Sequence, residues 1–157
     1  ELQDTVENAG DRINARFGTD DWQPVVYTTV RLSDEVLYSL YRRADVALVS
    51  PIRDGMNLVA GEYVAAQTAN DGVLVLSDQT GAHDQFGESA LTVTPQDADG
   101  FAATVQTALT MSADERGRRM RSLRRQVHRN DVSAWLDDFL GTITTLEEKS
   151  GDKRVYV

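Results

Sequence analysis

Apolar residues recur along this chain with two different periods, and the switches between them outline a fold. Leu2, Val6, Ala9 and Ile13 repeat at helical spacing as far as Gly18, which predicts an opening helix. Trp22-Gln23-Pro24 interrupts that pattern, and the β-branched run VVYTTV over 25–30 predicts a strand. Ser33 suits an N-cap, with Asp34 and Glu35 in the first turn of a helix that carries Val36, Leu37, Leu40 and Tyr41 and ends at Arg43. A second strand spans 46–50 and stops at Pro51. Leu58, Val59, Tyr63, Ala65 and Ala66 mark the next helix, and 73–76 forms a strand apolar on both faces. After a short strand at 91–93 the pattern is helical only, over 98–110, 113–129 and 132–146, with Asp97, Ser112 and Asp131 at the N-cap positions. The tail 147–157 has no packing pattern.

Continuous apolar strands separated by helices predict an α/β fold: a Rossmann-like parallel sheet of three or four strands, covered on both faces and ending in several helices. One domain over 1–146 followed by the tail accounts for the 157 residues and 17.4 kDa. The chain opens on Glu1 within a helical pattern, and the sheet is small. The expectation is a domain incomplete at its N-terminus, part of a longer, soluble, cytoplasmic protein.

Composition narrows the chemistry. Sixteen Lys and Arg against 25 Asp and Glu give a net charge of −9, which argues against a global polyanion-binding surface. The absence of cysteine removes disulfides, thiolate catalysis and Cys-ligated metals. No apolar run approaches the roughly 18 residues of a membrane-spanning helix.

In open parallel sheets ligands bind beyond the carboxyl ends of the strands, at helix N-termini. The segment 50–59, SPIRDGMNLV, follows a buried strand, contains Gly55 and opens a helix. Unpaired N–H groups of Asn57, Leu58 and Val59 there make a site for phosphate or pyrophosphate. Gly55 allows close approach of the backbone, Asp54 and Asn57 offer a carboxylate and an amide to sugar hydroxyls, and Glu62 can accept two ribose hydroxyls. The plainer reading is an ordinary strand-to-helix turn in which Asp54 only caps the helix.

The loop 77–84, SDQTGAHD, faces the same sheet edge, and its polar residues and Gly81 suit closure over a donor. His83 reads more simply as a solvent-exposed loop residue, and so does His128 on its Arg-rich helix. Asp97-Ala98-Asp99 has the spacing of a metal-binding pair but no third ligand, and the acids suit a helix start, so no metal is expected there. Seven arginines between 116 and 129 invite a nucleic-acid reading. An acidic chain without interleaved aromatic platforms argues instead for a solvated helix with Met120, Leu123 and Val127 facing the core.

The stretches LYRRADV at 40–46 and RDGMNLVAGEYVAAQ at 53–67 strongly resemble the trehalose-6-phosphate synthase family of retaining glycosyltransferases. The resemblance extends to RINARFG at 12–18 with Trp22 and Pro24, GVLVLS at 72–77, ALTMS at 108–112 and NDVSAW at 130–135, nearly the whole chain except the tail. It implies the nucleotide-sugar-binding C-terminal half of a two-domain GT-B fold, with the active site in the cleft facing a missing N-terminal domain. It implies that Asp54, Gly55, Met56 and Asn57 contact the donor sugar, with Asp54 catalytic. Asn57, Leu58 and Val59 would then hold the diphosphate and Glu62 the ribose. The implied reaction moves glucose from UDP-glucose to a sugar 6-phosphate with retention. It needs no metal and no cofactor beyond the nucleotide-diphosphate sugar substrate. The basic leaving-group clamp and acceptor-phosphate site lie elsewhere in the family, so this segment alone should be inactive. Neither nucleic acid nor membrane is an expected partner, and oligomeric state stays open, a homo-oligomer included.

Two departures from the family pattern stand out. Gly61 replaces a Lys before Glu62, and Gln79-Thr80-Gly81 replaces Phe-Ala-Gly in the loop expected to face the donor. The second change leaves room for an alternative: a pseudo-glycosyltransferase of the validamycin type, coupling a nucleotide-linked cyclitol to an amino-cyclitol phosphate. A further alternative is a catalytically inactive regulatory subunit that still binds a nucleotide sugar. Nucleotide base and acceptor are not legible.

Overall fold

The computed structural model describes residues 2–129 together with Leu140 and Thr142. The helix expected over 132–146, its cap Asp131, the NDVSAW stretch and the tail all lie outside the described residues, apart from those two positions. The chain divides into two compact units, Glu1–Ser33 and Asp34–Val157.

The first unit holds helix α1 (Leu2–Phe17), close to the expected span. The strand expected over 25–30 does not form. Val25 instead pairs with a side chain: its N–H donates to Asn14 Oδ1 and its carbonyl accepts from Asn14 Nδ2, both at 2.9 Å. Val26 and Val30 are 82% and 73% exposed, so the β-branched run has neither a ladder partner nor a face to bury.

The second unit runs α2 (Asp34–Arg43), β1 (Val46–Val49), α3 (Leu58–Ala66), β2 (Val73–Ser77), α4 (Ala82–Phe86), β3 (Leu91–Val93), α5 (Ala98–Thr110) and α6 (Ala113–Arg129). The three strands are parallel in the order β1-β2-β3, with Val46 opposite Val73 and Val75 opposite Leu91. Every residue of β2 is buried, as a central strand covered on both faces requires. Leu74 and Leu76 face a core built with Tyr63 and Val64 of α3, Phe86 of α4, and Met120 and Leu123 of α6. Val73 and Val75 face the opposite layer, with Val93 and Ala108, against which Phe101 of α5 packs. The expected inward face of the Arg-rich helix is thus present, Val127 packing at its margin. Asp97 and Ser112 cap their helices through Gly100 N–H and Glu115 N–H.

One element escaped the sequence pattern. The second polar loop turns into the single-turn helix α4, held by Ala82 and Phe86 as core residues. Five residues are too few for a periodicity to declare itself.

Candidate active site

β1 ends at Val49, and the chain then passes through 50–57 before α3 begins at Leu58. This connection is stitched to the one after β2. Asp54 N–H donates to the Gln79 carbonyl at 3.1 Å, and Gly81 N–H donates to the Asp54 carbonyl at 3.0 Å, so Asp54 and Thr80 form a parallel bridge beyond the strand ends. Ser77 adds a third tie, its hydroxyl donating to the Pro51 carbonyl at 2.8 Å. Gly81 is required where it stands. A Cβ there would lie 3.0 Å from the Gly55 carbonyl carbon and closer still to its oxygen.

Within the loop, Asp54 acts as a hub. Its Oδ1 accepts the N–H groups of Met56 and Asn57, both at 3.1 Å, and its Oδ2 accepts Asn57 Nδ2 at 2.9 Å. The Met56 backbone bond, then the Asn57 side chain, lower the Asp54 pKa below the usual carboxylate range. Asn57 is the N-cap of α3, with φ 60° and its Oδ1 accepting Ala60 N–H at 3.0 Å. The left-handed backbone suits Asn, whose short amide satisfies the third helical donor.

This corrects one expectation and sharpens another. Asn57 N–H is not free; Asp54 occupies it. Asp54 does not cap the helix itself but fixes the residue that does. Leu58 and Val59, the first two helical positions, keep N–H groups without an acceptor among the described residues. The loop therefore presents two adjacent amides at the positive end of a helix.

A cleft of about 270 Å³ opens beside them, lined by Gly55, Met56, Asn57, Leu58 and Gly61 on one side and by Gly81, Ala82, Gln85, Phe86 and Val127 on the other. The structure thus brings 55–58 together with the start of α4. It also places Gly61 in the wall, with open space where a side chain would point. Gln79, by contrast, is not in that wall; its amide donates to Asp78 Oδ1 at 2.9 Å. Of the two family departures, Gly61 is the one that borders this cleft. Gln85 and Phe86 also line it and went unremarked in the sequence, since only the formation of α4 turns them there.

Glu62 does not line the cleft. Its carboxylate accepts from Tyr41 OH on α2 at 3.3 Å. Burial, then the nearby Glu62 charge, raises the Tyr41 pKa, which keeps the phenol protonated as the donor. His83 Nε2 lies 3.0 Å from Thr92 Oγ1 on β3, outside the cleft wall. Asp97 serves its helix cap. Among the described residues no group of three or more His, Asp or Glu is placed to share a metal ion.

The family model Glycosyltransferase family 20 matches residues 1–145. The chain belongs to that family. A family 20 relative, trehalose-6-phosphate synthase of Escherichia coli K12, is 40% identical over 155 residues, covering 98% of this chain and 32% of the relative. A structure from E. coli bound with UDP-2-fluoro glucose aligns at TM-score 0.84 and 43% identity, over 90% of this chain and 31% of its own. The α,α-trehalose-phosphate synthase (UDP-forming) of Burkholderia xenovorans in complex with glucose-6-phosphate aligns at TM-score 0.85 and 42% identity, over 91% and 32%. The chain therefore spans about a third of the length of the family 20 relatives it matches. The parallel sheet with helices is the Rossmann-like half of the GT-B architecture these neighbours share. Two of these relatives, from E. coli K12 and Burkholderia xenovorans, are named as synthases.

Proposed function

We propose that this chain is the donor-binding part of a retaining glycosyltransferase that moves glucose from UDP-glucose to glucose 6-phosphate and forms trehalose 6-phosphate. The observation that carries the proposal is the pair of unpartnered N–H groups of Leu58 and Val59 at the start of α3, behind a loop held by Asp54. Two such amides at a helix N-terminus suit a diphosphate, and they stabilise the negative charge that grows on it as the glycosidic bond breaks. A relative bound with a UDP-sugar analogue and another with glucose-6-phosphate support both substrates.

The residues divide the work by position. Gly55, Met56 and Asn57 line the cleft where the sugar sits, against the diphosphate on Leu58 and Val59. Asp54 holds the loop through Met56 and Asn57, and its role in catalysis is to keep that geometry while the anomeric carbon gains positive character. Glu62 stands one helical turn beyond Leu58, about 6 Å along the axis, a spacing that suits a ribose next to the diphosphate. No step calls for a metal. The acceptor phosphate site and the cationic leaving-group clamp belong to an N-terminal domain of the intact protein.

The test is direct. The intact protein is incubated with UDP-glucose and glucose 6-phosphate, and UDP release is measured. Turnover that requires both substrates is expected, whereas UDP-glucose binding without turnover, or turnover only with a nucleotide-linked cyclitol, would overturn the assignment.

A further inference from the structure

Helix α6 carries seven arginines from 116 to 129 and no acidic residue after Glu115. Two of the seven share one carboxylate. Arg118 and Arg119 both pair with Glu115, at 2.6 and 2.7 Å, and Arg119 also donates to the carbonyls of Ser89 and Ala90. Those pairings pull the Glu115 pKa down to about 2.

Among the described residues, the basic side chains further along have no carboxylate partner. Arg121, Arg124, Arg125 and His128 recur at i, i+3, i+4 and i+7, which sets them on one face of the helix. With Asn70 they line a cleft of about 350 Å³. Arg124 Nη1 donates to Asn70 Oδ1 at 3.3 Å, and Asn70 has φ 59° in the turn after α3. Arg124 Nε is buried without a hydrogen-bond partner. Among the described residues no carboxylate pairs with Arg121, Arg124, Arg125 or His128. Like charges at i,i+4 repel, and here they converge on one hollow in a chain of net charge −9. A buried, unsatisfied guanidinium N–H beside two free guanidinium forks is a set of donors waiting for acceptors.

We propose that the cleft formed by Asn70, Arg121, Arg124, Arg125 and His128 binds a small phosphorylated anion. Planar guanidinium forks match phosphate oxygens two at a time, and the volume leaves room for an organic body beside the phosphoryl group. A nucleic-acid strand fits less well, since among the described residues no Phe, Tyr or Trp lines the cleft as a platform for a base. None of these residues belongs to the loop 54–62, and the proposal does not depend on the donor site.

Arginine footprinting on the intact protein tests it. Phenylglyoxal labelling is read residue by residue by mass spectrometry, with and without inorganic phosphate, at ionic strength held constant with chloride. Labelling of Arg121, Arg124 and Arg125 should slow about tenfold when phosphate stands at about ten times its Kd, while Arg129 changes by less than about twofold. Equal slowing at Arg129, or in chloride alone, would overturn the proposal. A sugar phosphate that protects at lower concentration than inorganic phosphate supports it and assigns the organic body to the ligand. Equal protection by the two supports it with the phosphoryl group alone as the ligand. A single-stranded oligonucleotide that protects below either concentration replaces the small anion with nucleic acid and overturns it. In R121Q/R125Q, checked for wild-type unfolding, phosphate protection at Arg124 should be lost; retained protection overturns the site.

Discussion

Gly81 lies so close against the Gly55 carbonyl that no side chain fits between the two loops that close the strand ends. With the Asp54–Gln79 and Gly81–Asp54 backbone bonds, that contact makes the connections after β1 and β2 one rigid unit. The candidate active site depends on this unit.

Gly81→Ala should therefore destabilise the protein by about 1–3 kcal/mol, the usual cost of forcing atoms into packed space. Urea unfolding measures it. A loss below about 0.5 kcal/mol would show that the loops part easily and that their contact does not hold the site.

Asp54 links the loop to helix α3 through Asn57. If the proposed transfer holds, Asp54→Ala in the intact protein should lower kcat about 100-fold, the scale of a misplacement near 1 Å, with folding preserved. An unchanged kcat in the steady-state assay removes Asp54 from the machinery.

The lowered Asp54 pKa fixes a sign for pH dependence. Its hydrogen bonds favour the ionised form, so the stability they contribute is complete above the ordinary carboxylate pKa of 3.8 and fades as pH falls through the lower folded value. Acid unfolding of wild type and Asp54→Asn should thus differ most above pH 4, with the gap closing below it. A gap that opens only below pH 4 would mean the carboxylate is not ionised in its hydrogen bonds.

Gly61 occupies the fourth position of α3 with open space at its Cβ. Gly61→Ala should raise stability by about 0.5–1 kcal/mol, because glycine inside a helix costs that much backbone entropy. Thermal melting reads the change, and destabilisation would reveal a contact that the cleft wall hides.

Glu62→Ala should weaken binding of a nucleoside diphosphate to the intact protein by roughly ten- to 100-fold, the range for losing hydrogen bonds to a charged group. Titration calorimetry showing wild-type affinity would return Glu62 to a purely structural pairing with Tyr41.

Residues 58–66 and 73–77 show how far the one-dimensional pattern reaches. Leu74 and Leu76 alternate with Val73 and Val75 to opposite cores, and an unbroken apolar run announces a strand covered on both faces. Likewise the RDGMNLV run marked the loop that holds the Asp54 hub and the two bare amides. The run at 25–30 shows the limit. Its β-branched residues favour extension, but a strand exists only where a neighbour supplies the ladder, and Asn14 took that place.

The order of the sequence alone determined the alternation of strand and helix and the parallel sheet, because burial and helical or extended periodicity act between residues close in the chain, while its motifs, RDGMNLV above all, carried the resemblance to the family. Only the tertiary structure decided that Asn57 N–H is taken by Asp54 while Leu58 and Val59 stay open, that Gly61 borders the cleft, and that Arg121, Arg124 and Arg125 share a hollow with Asn70. Those outcomes turn on which groups meet across loops and layers, where a hydrogen bond made in one place removes a donor from another.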